Sequence, residues 1–122
     1  MIYGIGIDVV EVRTIKQAEN EFIKHIFTKN EIDYCESKTN NAQNYAVRYA
    51  AKKAFFKAIA INQKKYLNWK EIEISNDKLG KPNIVLHGNL KKIIKDNLIT
   101  ELKVSLSHIN ETAIAVVILE KL

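Results

Sequence analysis

The sequence predicts an α+β fold, a single compact domain in which one long helix packs on an antiparallel sheet. Strand-like and helical segments do not alternate regularly, which disfavours a parallel α/β sheet. The longest helical pattern covers residues 41–61. A short connection joins the last two strand-like segments, 104–108 and 112–119, as in an antiparallel hairpin. A chain of 122 residues is large enough for one hydrophobic core but too small for two, so we expect one domain over residues 1–122.

The chain opens with a predicted strand. Residues 2–12 are rich in Ile, Val and Tyr, and we expect this strand to be buried. Gly4 and Gly6 alternate on one side of it. Glycine inside a strand usually admits a second backbone or a ligand at close range, so we expect a close approach there.

Two helices follow in the middle of the chain. Thr28 and Glu31 have the Thr-x-x-Glu spacing of a capping box, which predicts a short helix that ends near Cys35. The long helix over residues 41–61 has an apolar side made of Tyr45, Tyr49, Phe55, Phe56 and Ile59.

The second half of the chain combines short strands with one helix. Residues 69–75 alternate in polarity, which predicts a strand. A turn cluster over 76–82 leads to a short strand over 83–87. Residues 90–99 have the pattern of an amphipathic helix, and the hairpin comes next.

The composition is that of an ordinary globular protein, with 47% apolar and 27% charged residues. The longest apolar stretch, 113–119, is far shorter than the ~20 residues of a membrane helix. Asp8 interrupts the first apolar segment, which is not typical of a secretory leader. Cys35 is the only cysteine, so the chain can form neither an intrachain disulfide nor a thiolate metal cluster. We therefore expect a soluble, cytoplasmic protein.

The net charge of +5 indicates little by itself, because net charge is only weakly related to the partner that a protein binds. Nearly all of the basic residues are Lys, and Arg is confined to Arg13 and Arg48. No aromatic residues interleave with a basic stripe, so a nucleic-acid-binding function has little support. The histidines lack the paired spacing of a zinc site, and Val9 stands where a dinucleotide-binding motif needs its third glycine.

Asp8 is the first candidate site residue. It follows apolar strand residues, where an unpaired carboxylate is costly to bury. The side chain either faces water or caps a turn at the strand end, or it serves as an oxygen ligand for magnesium. Magnesium typically takes one or two carboxylates together with phosphate oxygens and water.

The long helix carries four basic residues, Arg48, Lys52, Lys53 and Lys57. Arg48 and Lys52 share a face, as do Lys53 and Lys57, because each pair is four residues apart. Like charges at this spacing repel each other by ~0.2–0.5 kcal/mol. The row is therefore either a solvated charged face or a cradle for phosphate groups.

These segments together resemble the holo-acyl-carrier-protein synthases, the short type of 4′-phosphopantetheinyl transferase. Four blocks in family order carry the resemblance: 4–11 (GIGIDVVE), 48–58 (RYAAKKAFFKA), 77–82 (DKLGKP) and 104–108 (VSLSH). The resemblance implies the 4′-phosphopantetheinyl transferase fold and transfer of 4′-phosphopantetheine from coenzyme A to a serine of apo acyl carrier protein. Adenosine 3′,5′-bisphosphate leaves, and the reaction supports fatty-acid biosynthesis.

The resemblance also implies the partners and the roles of particular residues. It predicts an acidic carrier protein, a homotrimer with each site between two subunits, and no nucleic-acid or membrane partner. Asp8 is the expected magnesium ligand at the diphosphate, and Lys57 and His108 contact phosphate; these three form the catalytic set. The coenzyme A-binding set is Arg48, Lys53, Lys57, Gly80, Lys81, Pro82 and His108. Arg13 and Lys16 are candidates for steering the carrier protein.

Lys53 is the main departure from the family pattern, which has a metal-binding Glu at this place. Either magnesium binds more weakly, through Asp8 and coenzyme A, or the Lys53 ammonium takes over part of the metal's role by pairing with Asp8 or the diphosphate. Both outcomes predict reduced activity. The alternative function is a weakened or inactive module that binds coenzyme A or carrier protein.

Smaller departures affect three other places. Residues 60–65 replace an expected Gly-rich segment, and Thr14 and His25 stand where the family has Arg. The general base stays open between Glu11 and a metal-bound water. The sequence does not distinguish which carrier protein is modified.

Overall fold

The computed structural model describes residues 1–60 and 68–122. In these residues five strands and five α-helices follow one another in an irregular order. The elements are β1 (Ile2–Glu11), α1 (Val12–Lys16), α2 (Asn20–Ile26), α3 (Lys29–Glu36), α4 (Asn41–Ile59), a 3₁₀ turn (Trp69–Glu71), β2 (Ile72–Asn76), β3 (Pro82–Leu86), α5 (Gly88–Asp96), β4 (Ile99–His108) and β5 (Thr112–Lys121).

The strands form two antiparallel sheets. The main sheet has the order β1-β5-β4, and β2 and β3 form a separate hairpin. Helix α4 packs across β1 and β5, and the core between them is lined by alanines and aromatic residues. The predicted α+β fold, with an antiparallel sheet under one long helix, is confirmed.

Helix α4 reaches the sheet at two glycines of β1. A Cβ atom on Gly6 would lie 1.8 Å from the carbonyl oxygen of Ala54, and one on Gly4 would lie 1.9 Å from that of Ala58. Only glycine fits at either position, which confirms the predicted close approach of a second backbone. Asp8 is the next residue on the same face of β1, so the same contact brings its carboxylate to α4.

Strand β1 is buried on one face only, so the expectation of a buried strand is wrong for the other face. Ile5, Ile7 and Val9 are each more than half exposed. The reason is the alternation of side chains along a strand, since α4 covers just one side of the sheet.

Helices α1 and α2 were not predicted from the pattern of the sequence. Both are short, and neither has a side-chain hydrogen bond at its N-cap, so they lack the signal that identified α3. The predicted helix over 90–99 begins at Gly88 and ends at Asp96. The left-handed backbone of Leu98 (φ 59°) redirects the chain, and Ile99 opens β4.

Other element boundaries also differ slightly from those predicted. Residues 69–71 form a 3₁₀ turn before β2 rather than the start of a strand. Helix α4 ends at Ile59, and Ala60 is its left-handed cap (φ 61°). The last residue of the predicted helix, at position 61, lies outside the described residues, as do the candidates at 61–65.

A buried ion pair joins α4 to α3. Lys52 is fully buried, and its Nζ donates to Glu31 Oε1 at 2.6 Å and to the Ile26 carbonyl at 2.7 Å. Glu31 also accepts from the backbone N–H groups of Thr28 and Ile74, at 2.9 Å each, and the predicted capping box is present. Burial lowers the pKa of Lys52, although Glu31 opposes that shift. Lys52 is therefore part of the core and belongs to neither a solvated face nor a phosphate cradle.

No helix in residues 1–60 and 68–122 combines the length and apolar character needed to cross a membrane.

Candidate functional site

Asp8 and Lys57 meet where β1 crosses α4. The Lys57 Nζ donates to Asp8 Oδ1 at 2.8 Å and to the Ile7 carbonyl at 3.0 Å. Asp8 is only 7% exposed, whereas half of the Lys57 side chain (50%) faces solvent. A lysine ammonium has three N–H donors, so Lys57 retains one for a ligand outside the protein. Asp8 thus neither faces water alone nor caps a turn.

Lys53 approaches the same carboxylate from the preceding turn of α4. Its Nζ lies 3.5 Å from Asp8 Oδ2 and 5.2 Å from the centre of the Tyr49 ring. Asp8 Oδ2 is buried and accepts no hydrogen bond from the described residues. Burial, assisted by the negative charge of Asp8, raises the pKa of Tyr49. We call Asp8, Lys53 and Lys57 the diphosphate cluster, after the group that the resemblance predicts at this place.

The diphosphate cluster does not fit a magnesium site. Magnesium needs oxygen ligands, and a carboxylate that already faces two ammonium groups is a poor donor for a divalent cation. Within residues 1–60 and 68–122, no three His, Cys, Asp or Glu side chains form a group that could hold a metal ion. The magnesium ligand expected at Asp8 stays a prediction, and the geometry favours pairing of Lys53 with Asp8 instead.

Arg48 lies in a second location, at the wall of a cleft. It is 2% exposed, and its guanidinium donates to the Asn76 side chain and, at 3.4 Å, to the Asn44 carbonyl. The guanidinium also stacks 4.3 Å from the centre of the Tyr34 ring. Its Nε is buried and has no hydrogen-bond partner among the described residues. No carboxylate within residues 1–60 and 68–122 forms an ion pair with Arg48. A buried cation without such a partner is costly, and an anionic ligand in the cleft would offset that cost.

The cleft has a volume of about 390 Å³ and unites residues from four separate segments of the chain. Its lining includes the predicted binding residues Arg48, Gly80, Lys81, Pro82 and His108. We call it the nucleotide cleft, after the ligand that the resemblance predicts for these residues. The nucleotide cleft therefore brings together residues from three of the four sequence blocks, 48–58, 77–82 and 104–108. The diphosphate cluster joins block 4–11 to the later part of block 48–58.

The Gly80 turn is built by Asp77, whose Oδ1 accepts from the backbone N–H groups of Leu79 and Lys81 at 2.9 Å each. Gly80 has a left-handed backbone (φ 85°), and its carbonyl accepts from Asn76 at 2.9 Å. Because Asn76 also accepts from Arg48, one amide fixes both the turn and the guanidinium.

The diphosphate cluster and the nucleotide cleft lie on opposite sides of α4. Arg48 and Lys57 are nine positions apart, which is about two and a half turns of an α-helix, so their side chains project in opposite directions. The sheet shows the same separation. Asp8 pairs with Ala115, which pairs with Leu106 of the cleft, so a whole strand lies between the two places.

Sequence reasoning missed the residues that hold Arg48. Asn44, Asn76 and Tyr34 contact the guanidinium from three different elements, and their types carry no motif. A hydrogen-bonding side chain directly before the turn, at Asn76, was the one available signal.

The residues after β1 line another cavity of about 390 Å³, which includes Arg13 and Lys16. Arg13 forms an exposed ion pair with Glu11. Glu11 is three positions from Asp8 on β1 and so points to the opposite face. Within one chain Glu11 therefore does not share the diphosphate cluster.

Comparisons with known proteins agree with this arrangement of blocks. The sequence model of the 4′-phosphopantetheinyl transferase superfamily matches residues 4–117. The chain belongs to that superfamily. It is similar to holo-[acyl-carrier-protein] synthases from Geobacter sulfurreducens, at 38% identity over 99% of both chains, and from Cytophaga hutchinsonii, at 40% identity over 99% of both chains.

Solved structures extend the similarity to three dimensions. The synthase from Neisseria meningitidis superposes with a TM-score of 0.90 at 32% identity, covering 99% of this chain and 100% of its own. The synthase from Bacillus anthracis, in complex with CoA (3′,5′-ADP), gives a TM-score of 0.81 at 31% identity, covering 100% and 99%. This chain is accordingly a phosphopantetheinyl transferase, and the resemblance seen in its sequence blocks is confirmed.

Proposed function

We propose that this transferase moves 4′-phosphopantetheine from coenzyme A to a serine of apo acyl carrier protein. The observation that carries the proposal is the contact of Asp8 with Lys57 and Lys53, because it places cations at one buried carboxylate beside open solvent. The similar synthases that act on acyl carrier protein support this choice of acceptor. On the same basis we propose one catalytic domain over residues 1–122.

The proposed step is an in-line displacement at phosphorus. The serine oxygen bonds to the phosphorus that bears pantetheine, and the bond from that phosphorus to the bridging oxygen breaks. The bridging oxygen keeps the electron pair and leaves on adenosine 3′,5′-bisphosphate, while the serine proton is released to water. Such a transfer depends mainly on positioning and on cations that stabilise charge on the phosphate oxygens.

We assign coenzyme A to both halves of the site. Lys57 and Lys53 of the diphosphate cluster contact the diphosphate, with Asp8 holding the two ammonium groups in place. Arg48 and His108 of the nucleotide cleft contact phosphate at the adenosine end, and the turn over Gly80, Lys81 and Pro82 lies against the adenosine. The complex of the similar Bacillus anthracis synthase with CoA (3′,5′-ADP) supports this choice of ligand.

Because the two halves lie on opposite sides of α4, we infer that each site forms between two subunits of a homotrimer. The outer face of β1 supports the assembly, since Ile5, Ile7 and Val9 expose a contiguous apolar strip. In the proposed assembly a second copy of the chain covers this strip, and its nucleotide cleft completes the site at the diphosphate cluster. The site is incomplete in one subunit.

Arg13 and Lys16 border a cavity near the end of β1, and we propose that they steer an acidic carrier protein. We propose that the transferase acts in fatty-acid biosynthesis in the cytoplasm, and that neither a nucleic acid nor a membrane is among its partners. Magnesium has no assigned step, because the residues around Asp8 do not fit it.

Lys53 also supports a second candidate, a module that binds coenzyme A or carrier protein and does not catalyse. The two candidates differ in one experiment. Apo acyl carrier protein is incubated with the enzyme and coenzyme A, with magnesium present, and its intact mass is measured. We expect the mass of one 4′-phosphopantetheine group to be added. Tight binding of coenzyme A with no mass change would favour the binding module.

A further inference from the structure

The diphosphate cluster holds more positive charge than its carboxylate requires. Asp8 contributes one negative charge, and two ammonium groups face it at 2.8 and 3.5 Å. The cluster therefore has a net charge of about +1 before any ligand binds. Neither lysine is sealed in the core, since 30% of the Lys53 side chain and 50% of the Lys57 side chain are exposed.

The geometry leaves hydrogen-bond donors directed to a ligand. At 3.5 Å the Lys53 Nζ is too far from Asp8 Oδ2 for a good hydrogen bond, and the carboxylate oxygen accepts none from the described residues. The Tyr49 ring, 5.2 Å away, holds the ammonium near the cluster without using an N–H donor. A diphosphate diester carries roughly one negative charge on each phosphate, so each ammonium group can donate to a different phosphate.

A divalent cation would meet opposition at this place. The two ammonium groups lie 2.8 and 3.5 Å from the carboxylate oxygens of Asp8, and they would repel a divalent cation that bound there. Lys53 and a metal ion would therefore compete for the same place beside Asp8, where either would supply positive charge to the diphosphate.

We propose that Lys53 is a catalytic residue that takes the place of a divalent cation, so that transfer proceeds without magnesium. The proposal rests on the proposed function and deepens it. Lys53 and Lys57 donate hydrogen bonds to the non-bridging oxygens of the coenzyme A diphosphate. The serine oxygen then displaces the bridging oxygen, which leaves with its electron pair on adenosine 3′,5′-bisphosphate, and the serine proton passes to water.

The first test compares transfer in EDTA with transfer in magnesium for the wild type, Lys53→Glu, Lys53→Gln and Lys53→Arg. We expect the wild-type rate to change less than about twofold between the two conditions. Lys53→Gln should lose about 10- to 100-fold in both, as expected for one charged hydrogen-bond donor, and Lys53→Arg should keep most activity in EDTA. Lys53→Glu should be inactive in EDTA and regain activity with magnesium. Lys91→Gln, on the exposed face of α5, is the matched control for loss of one positive charge.

A wild-type rate that falls more than about tenfold in EDTA and returns with magnesium would overturn the proposal. So would a Lys53→Gln variant that matches Lys91→Gln.

The second test measures coenzyme A binding by calorimetry, which needs no turnover. The wild-type Kd should be equal in EDTA and magnesium, and Lys53→Gln should bind about 10- to 100-fold more weakly in both. Magnesium should tighten binding and raise the melting temperature only for Lys53→Glu. A wild-type Kd that magnesium lowers about tenfold would contradict the role proposed for Lys53. Because the binding measurement needs no transfer, it tests this role separately from the proposed transferase function. Melting curves show that each variant is folded.

Discussion

Lys57 is the more exposed of the two lysines in the diphosphate cluster, and one of its three N–H donors is left for a ligand. It is half exposed, so replacing it leaves the core intact. We expect Lys57→Met to retain the fold and to lower kcat/KM for transfer about 100-fold, because a preorganised charged donor to the phosphate oxygens is lost. Steady-state kinetics with Lys91→Met as the control tests this. Equal rates for the two variants would exclude Lys57 from the site.

Cys35 is a thiol that burial in the core makes unreactive. The side chain is fully buried in the core, and burial raises the pKa of the thiol to about 12. The thiolate is therefore nearly absent at pH 8. We expect no reaction with a thiol reagent in the folded protein and rapid reaction of one thiol in guanidinium. Rapid labelling of the folded protein would show that this part of the core is open.

Glu73 joins two elements through hydrogen bonds to its carboxylate. Its oxygens accept from Thr28 Oγ1 at 2.6 Å and lie 3.0 Å from His87 Nε2. Burial alone would raise the pKa of Glu73, but the hydrogen bonds from Thr28, His87 and Asn30 together lower it. An acid with a lowered pKa in the folded state stabilises the protein above its ordinary pKa of 4.5, and this stability is lost as the pH falls further.

We therefore expect Glu73→Gln to be less stable than the wild type at pH 7 and to lose less stability between pH 4.5 and pH 3. Urea unfolding across this pH range measures the difference. Parallel stability profiles for both proteins would show that Glu73 does not contribute.

At the scale of elements, the contact of β1 with α4 decides whether the diphosphate cluster forms. A methyl group on Gly6 would meet the Ala54 carbonyl oxygen at 1.8 Å. The two elements must then separate, and overpacking of this kind typically costs 1–3 kcal/mol or more. We expect Gly6→Ala to lower the melting temperature and to weaken coenzyme A binding, both measured on the purified variant. An unchanged melting temperature would mean that β1 and α4 are less close than the structure shows.

Elements with a local signal could be predicted from the sequence, and those without one could not. The capping box identified α3, and the glycines of β1 indicated a second backbone. Helices α1 and α2 have no such caps. The exposed outer face of β1 could not be foreseen either. Its residues Ile5, Ile7 and Val9 are apolar, and an almost continuous apolar run is typical of a strand that is covered on both faces.

In the candidate site, too, some features could be predicted from the sequence and others depended on tertiary packing. The resemblance predicted Asp8, Lys57 and Arg48 as site residues, but spacing gave only two face-sharing pairs on α4, Arg48 with Lys52 and Lys53 with Lys57, and left the surroundings of each side chain open. The structure separates them, because Lys52 is neutralised by Glu31, 21 positions earlier in the chain, and Arg48 faces the other side of the helix. Such pairings depend on tertiary packing, and no local pattern encodes them.

At the scale of the whole molecule, each coenzyme A is proposed to contact two subunits. Lys57 belongs to the diphosphate cluster and Arg48 to the nucleotide cleft, so the variants Lys57→Met and Arg48→Gln damage different halves of the site. A cyclic trimer that contains both variants has one intact site among its three. That site combines the diphosphate cluster of an Arg48→Gln subunit with the nucleotide cleft of a neighbouring Lys57→Met subunit.

The most direct measurement of this claim is complementation. The two variants are co-expressed with different affinity tags, and trimers that carry both tags are purified and assayed for transfer. We predict that each single variant is nearly inactive and that the mixed trimers recover about one third of the wild-type rate. Mixed trimers that stay as inactive as the single variants would contradict a site shared between subunits.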